Sequence, residues 1–191
     1  MKMKLLSVLF LSMFISCGDD SSDNDIYPEY SGIVVGPFDA DLSSDSGEWY
    51  YMDLDTGGTK VTETDAWDLR FRKSLIQLNP GKSTAAKLDT PFDSVTSSPS
   101  ASQFQSDGLT GYVGTDGKTI SPERDTVFNG EDKWYNYDQP GKPKIDPKTD
   151  RTYVVKTDQG TNYVIQMLSY YGAAGESAQL SLEYKIVLTL P

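Results

Sequence analysis

Few residues in this chain could do chemistry, and they fall into two groups. The first is Cys17, the only cysteine. It follows Lys2 and Lys4, an apolar run from Leu5 to Ile15, and Ser16. A charged start, a short apolar stretch and a small residue before a cysteine make a lipoprotein signal. The apolar run is too short for a permanent membrane-spanning helix. Residues 1–16 are therefore expected to be removed and Cys17 to carry lipid. The second group is aromatic: Trp134-Tyr135-Asn136-Tyr137, with Tyr112 upstream. Aromatic rings on loops make flat apolar platforms with a polar tip. Such platforms suit planar ligands, sugars or protein partners; the alternative is that Trp134 anchors a strand and the tyrosines fill the edge of the core.

What the chain lacks narrows the chemistry further. It has no histidine, which excludes Ser-His-Asp and Cys-His machinery and His-ligated zinc. Lipidation of Cys17 would leave no thiolate, so the chain does not read as an enzyme. Its net charge is −11, which argues against nucleic acid, whose binding needs a basic footprint. Asp53, Asp55, Gly58 and Glu63 approach a calcium-loop spacing, but Gly57 occupies a ligand position and the glutamate falls one residue early. Asp116, Asp125, Asp132, Asp138, Asp146 and Asp150 fit no ligand pattern and read as turn residues. Asp68, with Arg70 and Arg72, reads as a contact that fixes a sheet or turn.

The elements that must position these residues are strands. Leu180, Leu182, Tyr184, Ile186, Leu188 and Leu190 alternate with mostly polar residues, the period of a half-buried strand. Tyr153–Lys156 and Tyr163–Tyr170 read as two more strands, joined by a turn at Asp158-Gln159-Gly160. Trp49–Leu54, Lys60–Thr64 and Trp67–Arg72 form a similar unit around Thr56-Gly57-Gly58. Between the two units the chain reads as irregular. Residues 94–102 are a Ser-rich loop, and 104–147 hold many Gly, Pro and Asp residues; long loops of this kind usually carry function or disorder. The expected organisation is a signal peptide over 1–16, a lipidated Cys17 with an acidic flexible tether over 17–27, and one antiparallel all-β domain over 28–191. The expected location is the outer membrane or cell surface, through the lipid anchor.

Two blocks carry a resemblance. EWYYMDLDTGGTKVTETDAWDLRFR runs from Glu48 to Arg72, and KWYNYDQPGKPKIDPKTDRTYVVKTDQGTNYVIQMLSYYGAAGESAQLSLEYKIV from Lys133 to Val187. In order and spacing both resemble the HmuY family of haem-binding lipoproteins. The resemblance implies a β domain that grips haem or a related porphyrin and delivers it to a TonB-dependent outer-membrane receptor. It also implies axial histidines or methionines from the middle loop region. Here the sequence departs: it has no histidine, and Met52 and Met167 lie inside the matched blocks. No axial ligand carries over, and the metal-ligand set is unknown. A tyrosinate can ligate haem iron, which makes Tyr112, Tyr135 and Tyr137 the haem-binding candidates. The porphyrin could also be held by apolar and aromatic contact without a strong axial bond. The alternative function is a non-haem interaction or adhesion protein at the cell surface on the same β fold, because function lives in the site and not in the fold.

Overall fold

The computed structural model describes residues 31–35, 48–138 and 144–187, with backbone only at 31–35 and 138. The signal segment, Cys17 and the tether lie outside the described residues, as do Leu188 and Leu190. Thirteen strands follow in order: β1 (Ser31–Val35), β2 (Tyr50–Asp53), β3 (Thr59–Val61), β4 (Leu69–Arg72), β5 (Leu75–Leu78), β6 (Thr84–Leu88), β7 (Tyr112–Val113), β8 (Thr119–Ile120), β9 (Tyr135–Asp138), β10 (Lys144–Pro147), β11 (Thr152–Lys156), β12 (Asn162–Tyr171) and β13 (Ser177–Ile186). Among the described residues the only helical pieces are three short 3-10 turns. The all-β expectation holds.

Among the described residues all the strand pairings are antiparallel. One sheet has five strands in the order β1-β13-β12-β11-β6, and another has four in the order β3-β2-β4-β5. Two separate hairpins are β7–β8 and β9–β10. Alternation explains β13: Leu180, Leu182 and Tyr184 are buried while their neighbours are half-exposed. Those side chains meet Tyr153, Val155, Tyr163 and Ile165 from their own sheet, and Met52, Leu69, Phe71 and Ile76 from the four-stranded sheet, in one core. Val154 and Val164 face the opposite way. They form a second, smaller core with Phe92, Val95 and Val187, so β11 and β12 are buried on both faces. The Tyr184 hydroxyl donates to the Gly57 carbonyl at 2.9 Å, tying the last strand to the first turn.

The stretch after Arg72 is more regular than its sequence suggests. Lys73-Ser74 turns the chain in two residues, and β5 then pairs with β4. Lys73 takes a left-handed φ of 54°, although lysine is not a usual turn former. β5 is buried on both faces, so it lacks the alternation that marks β13. β6 reads TAAKL, with alanines of low strand preference, yet it pairs with β11 at the edge of the five-stranded sheet.

Candidate functional site

The segment from Gln103 to Asp132 is an elaborate loop hung on side chains. Asp107 accepts from Leu78 N at 2.8 Å and from Val127 N at 2.9 Å. Asn129 accepts from Ile76 N at 2.7 Å and donates to the Ser74 carbonyl at 2.6 Å. These two residues cap the outward N–H groups of edge strand β5. Asp125 accepts from Thr110 N, Thr110 Oγ1 and Gly111 N at 3.1–3.2 Å. Its carboxylate lies against Gly108, where any Cβ would collide with it. Glu131 accepts from Thr115 N at 3.0 Å and from the Thr115 hydroxyl. A two-residue bridge between Ala85 and Gln105 fixes the start of the loop to β6.

Between this loop and β6 lies a cavity of about 740 Å3, within the range of small-molecule sites. Lys87, Gln103 and Gln105 line it on one side, and Tyr112, Thr126 and Val127 are among the residues on the others. The Tyr112 ring is half-buried. Its hydroxyl lies 3.5 Å from where a Cβ on Gly130 would stand, so the glycine leaves room for it. At the rim Asp132 meets three cations: Lys148 at 2.6 Å, Arg151 at 2.8 Å and Lys87 at 3.1 Å. The hydrogen bond from Lys148, with those from Arg151 and Lys87, holds its carboxyl well below the usual carboxylate range.

The three candidate tyrosines are not gathered in one place. Tyr112 lines the cavity; Tyr135 and Tyr137 do not. Tyr135 is 4% exposed and packs edge-on against Trp134, ring centroids 4.8 Å apart. Trp134 itself is buried and donates through Nε1 to the Ser74 carbonyl. Trp134 therefore anchors the start of β9, and Tyr135 belongs to the core. Tyr137, opposite Ile145 on the β9–β10 hairpin, is 46% exposed. Met52 and Met167 both sit in the main core.

Asp68 fixes a turn. It accepts from Leu54 N at 2.9 Å and the Ser83 hydroxyl at 3.0 Å, and burial pushes its carboxyl up to about 6. Asp53 and Asp55 bring carboxylate oxygens within 4.8 Å of it, a grouping that sequence spacing alone does not reveal. Arg70 and Arg72 face elsewhere. Both guanidinium groups lie 4.5 Å from the Trp49 ring centre; Arg70 also donates to Gln77, and Arg72 pairs with Glu123 at 2.7 Å.

The same fold occurs in several solved structures, three of which follow. One is a protein assigned as a lipoprotein of Bacteroides fragilis, with 22% identity, a TM-score of 0.55, and coverage of 83% of this chain and 90% of that one. Another is assigned as an HmuY-like haem-binding protein of Bacteroides vulgatus, at 16% identity and TM-score 0.56, covering 85% and 94%. A third is the apo HmuY analogue of Tannerella forsythia, at 16% and 0.53, covering 83% and 96%. No curated protein sequence matches the chain. The model of the HmuY protein family matches residues 45–184, from just before β2 almost to the end of β13, and by that match the chain belongs to the HmuY family.

Proposed function

We propose that this protein is a lipid-anchored, extracytoplasmic binding protein that takes up haem or a related porphyrin and passes it to an outer-membrane receptor of the TonB-dependent kind. It is read as a carrier and not as an enzyme. The observation that carries the reading is Tyr112: in a family with haem-binding neighbours, a phenol stands on the wall of a cavity of ligand size.

The donor set fits a ferric haem with one oxygen ligand and does not fit a bis-histidine or bis-methionine site. There is no histidine, and Met52 and Met167 are enclosed by the core. Bound ferric haem would bring a Lewis-acidic iron, for which a tyrosinate is an established partner. Tyr112 would supply that oxygen. Val127 and the Tyr112 ring would give the apolar contact, and the loop carboxylates hold the wall in place. Tyr137 is the exposed alternative. Tyr135 would have to leave its packing on Trp134 to serve.

The polar wall favours a second reading. Gln103, Gln105, Asp125, Thr126 and Glu131 outnumber the apolar lining residues, which suits a hydrophilic ligand or a surface partner without haem. Absorbance titration of the domain with haemin separates the two. A Soret shift saturating at one equivalent supports porphyrin binding, and a titration with no saturable shift favours the non-haem reading.

A further inference from the structure

We propose that the protein has a second site, apart from the loop-walled cavity, that binds a phosphoryl group. Strand register creates it. Lys156 at the end of β11 stands opposite Thr84 at the start of β6, so the turn leading into β6 and the turn following β11 lie side by side. Between them is a cavity of about 620 Å3, with Lys82 and Thr84 on one side and Lys156, Thr157 and Asp158 on the other. Two cations face one acid there. Lys82 reaches Asp158 at 3.6 Å, a loose contact between exposed side chains. Among the described residues Lys156 is paired with no carboxylate. The lining therefore keeps a positive charge in a chain whose net charge is −11, which repels anions over most of its surface.

Thr157 is the second observation. It is 3% exposed, and its hydroxyl has no hydrogen-bond partner. Its backbone is satisfied: the N–H donates to the Thr161 carbonyl and the carbonyl accepts from Gly160 N, both at 3.0 Å. A buried hydroxyl left unbonded is a cost that an occupant with an acceptor oxygen removes. Phosphoryl oxygens are acceptors, and a phosphate monoester carries nearly two negative charges at neutral pH. Lysines suit it, as compact point charges that impose no planar geometry, whereas a carboxylate is better matched by the arginine fork. A soluble phosphate ester and the phosphate of a lipid headgroup present this same group.

The test is calorimetric titration at constant ionic strength and about pH 7.5, where a phosphate monoester is mostly a dianion. The probes are inorganic phosphate and glycerol 3-phosphate, with acetate as the control anion. The parent should bind phosphate at one equivalent, and acetate about tenfold more weakly; Lys156→Met should lose about tenfold in phosphate affinity, the scale of one hydrogen bond to a charged group. Thr157→Val keeps the side-chain shape and removes only the unpartnered hydroxyl. It should melt no lower than the parent yet bind phosphate more weakly, a combination that a purely structural threonine would not give. Vesicles of phosphatidylcholine with phosphatidic acid, offered to the Cys17→Ser form, identify the source. Sedimentation with them, and not with phosphatidylcholine alone, assigns a lipid headgroup; binding in solution without sedimentation assigns a soluble ester. No phosphate binding in either arm, equal binding of acetate, or binding unchanged in Lys156→Met and Thr157→Val would overturn the inference. Haemin binding at the loop-walled cavity is independent of each of these results.

Discussion

Asp68, which is buried, and Asp107, which is half-buried, are carboxylates used to hold backbone and hydroxyl donors, and both carry a pH dependence. Burial raises each from 3.8 to about 6, against the opposing pull of their hydrogen bonds. The folded chain therefore binds more protons than the unfolded chain between those two values. The stabilisation they contribute is complete below about pH 4 and is lost as pH rises through 6. Asp68→Asn removes one of these titrations. Denaturant midpoints should show the variant gaining on the parent as pH goes from 5 to 7.5; a difference that is constant with pH would refute the assignment. That Asp68 makes a contact fixing the sheet or a turn was legible from its place on the Trp67–Arg72 strand, but its partners are not Arg70 and Arg72, which face elsewhere. Its donors, Leu54 N and Ser83 Oγ, were not legible, because Ser83 lies 15 residues away in sequence. The tyrosines show the same limit. Tyr112, Tyr135 and Tyr137 all lie among Gly, Asn and Asp in sequence, yet one lines a cavity, one is core and one is exposed. Packing from distant segments decides which.

At the scale of elements, edge strand β5 is the informative case. An edge strand offers unpaired N–H groups to other chains. Here Asn129 and Asp107 occupy the N–H groups of Ile76 and Leu78 from a loop far along the chain. Asn129→Ala should leave buried donors unmet and cost about 1–3 kcal/mol, with more aggregation on partial unfolding. A chemical denaturation curve that matches the parent would contradict this capping role. Strands with one buried face were readable, as β4 and β13 show. β5 was not, since burial on both faces erases alternation and the left-handed position of its hairpin is filled by Lys73, a residue that does not mark a turn. The loop that builds the cavity was recognisable only as a long Gly-, Pro- and Asp-rich stretch. Its shape depends on side-chain contacts such as Asp125 with Thr110 and Gly111, which no local pattern encodes.

At the scale of the whole molecule, two sheets share one core, and the loop that caps β5 walls a cavity against Lys87 of β6. The family was legible because its signature lies in the strands, from Trp49 to Arg72 and from Tyr153 to Ile186. The binding chemistry was less legible, because this chain has no histidine to mark it. The proposed anchor predicts that Cys17→Ser moves the protein from the membrane fraction to the soluble fraction, as read by fractionation and blotting; a variant that still sediments with membranes would remove the lipoprotein reading. The central claim is that Tyr112 holds ferric haem in the loop-walled cavity. It is tested most directly by the absorption spectrum of the haemin complex, before and after dithionite, in the parent and in Tyr112→Phe. A hard anionic oxygen donor favours ferric over ferrous iron. The parent should therefore give a high-spin ferric spectrum at one equivalent that weakens on reduction, and Tyr112→Phe should lose it. Low-spin bands that survive reduction, or a Tyr112→Phe spectrum identical to the parent's, would contradict the claim.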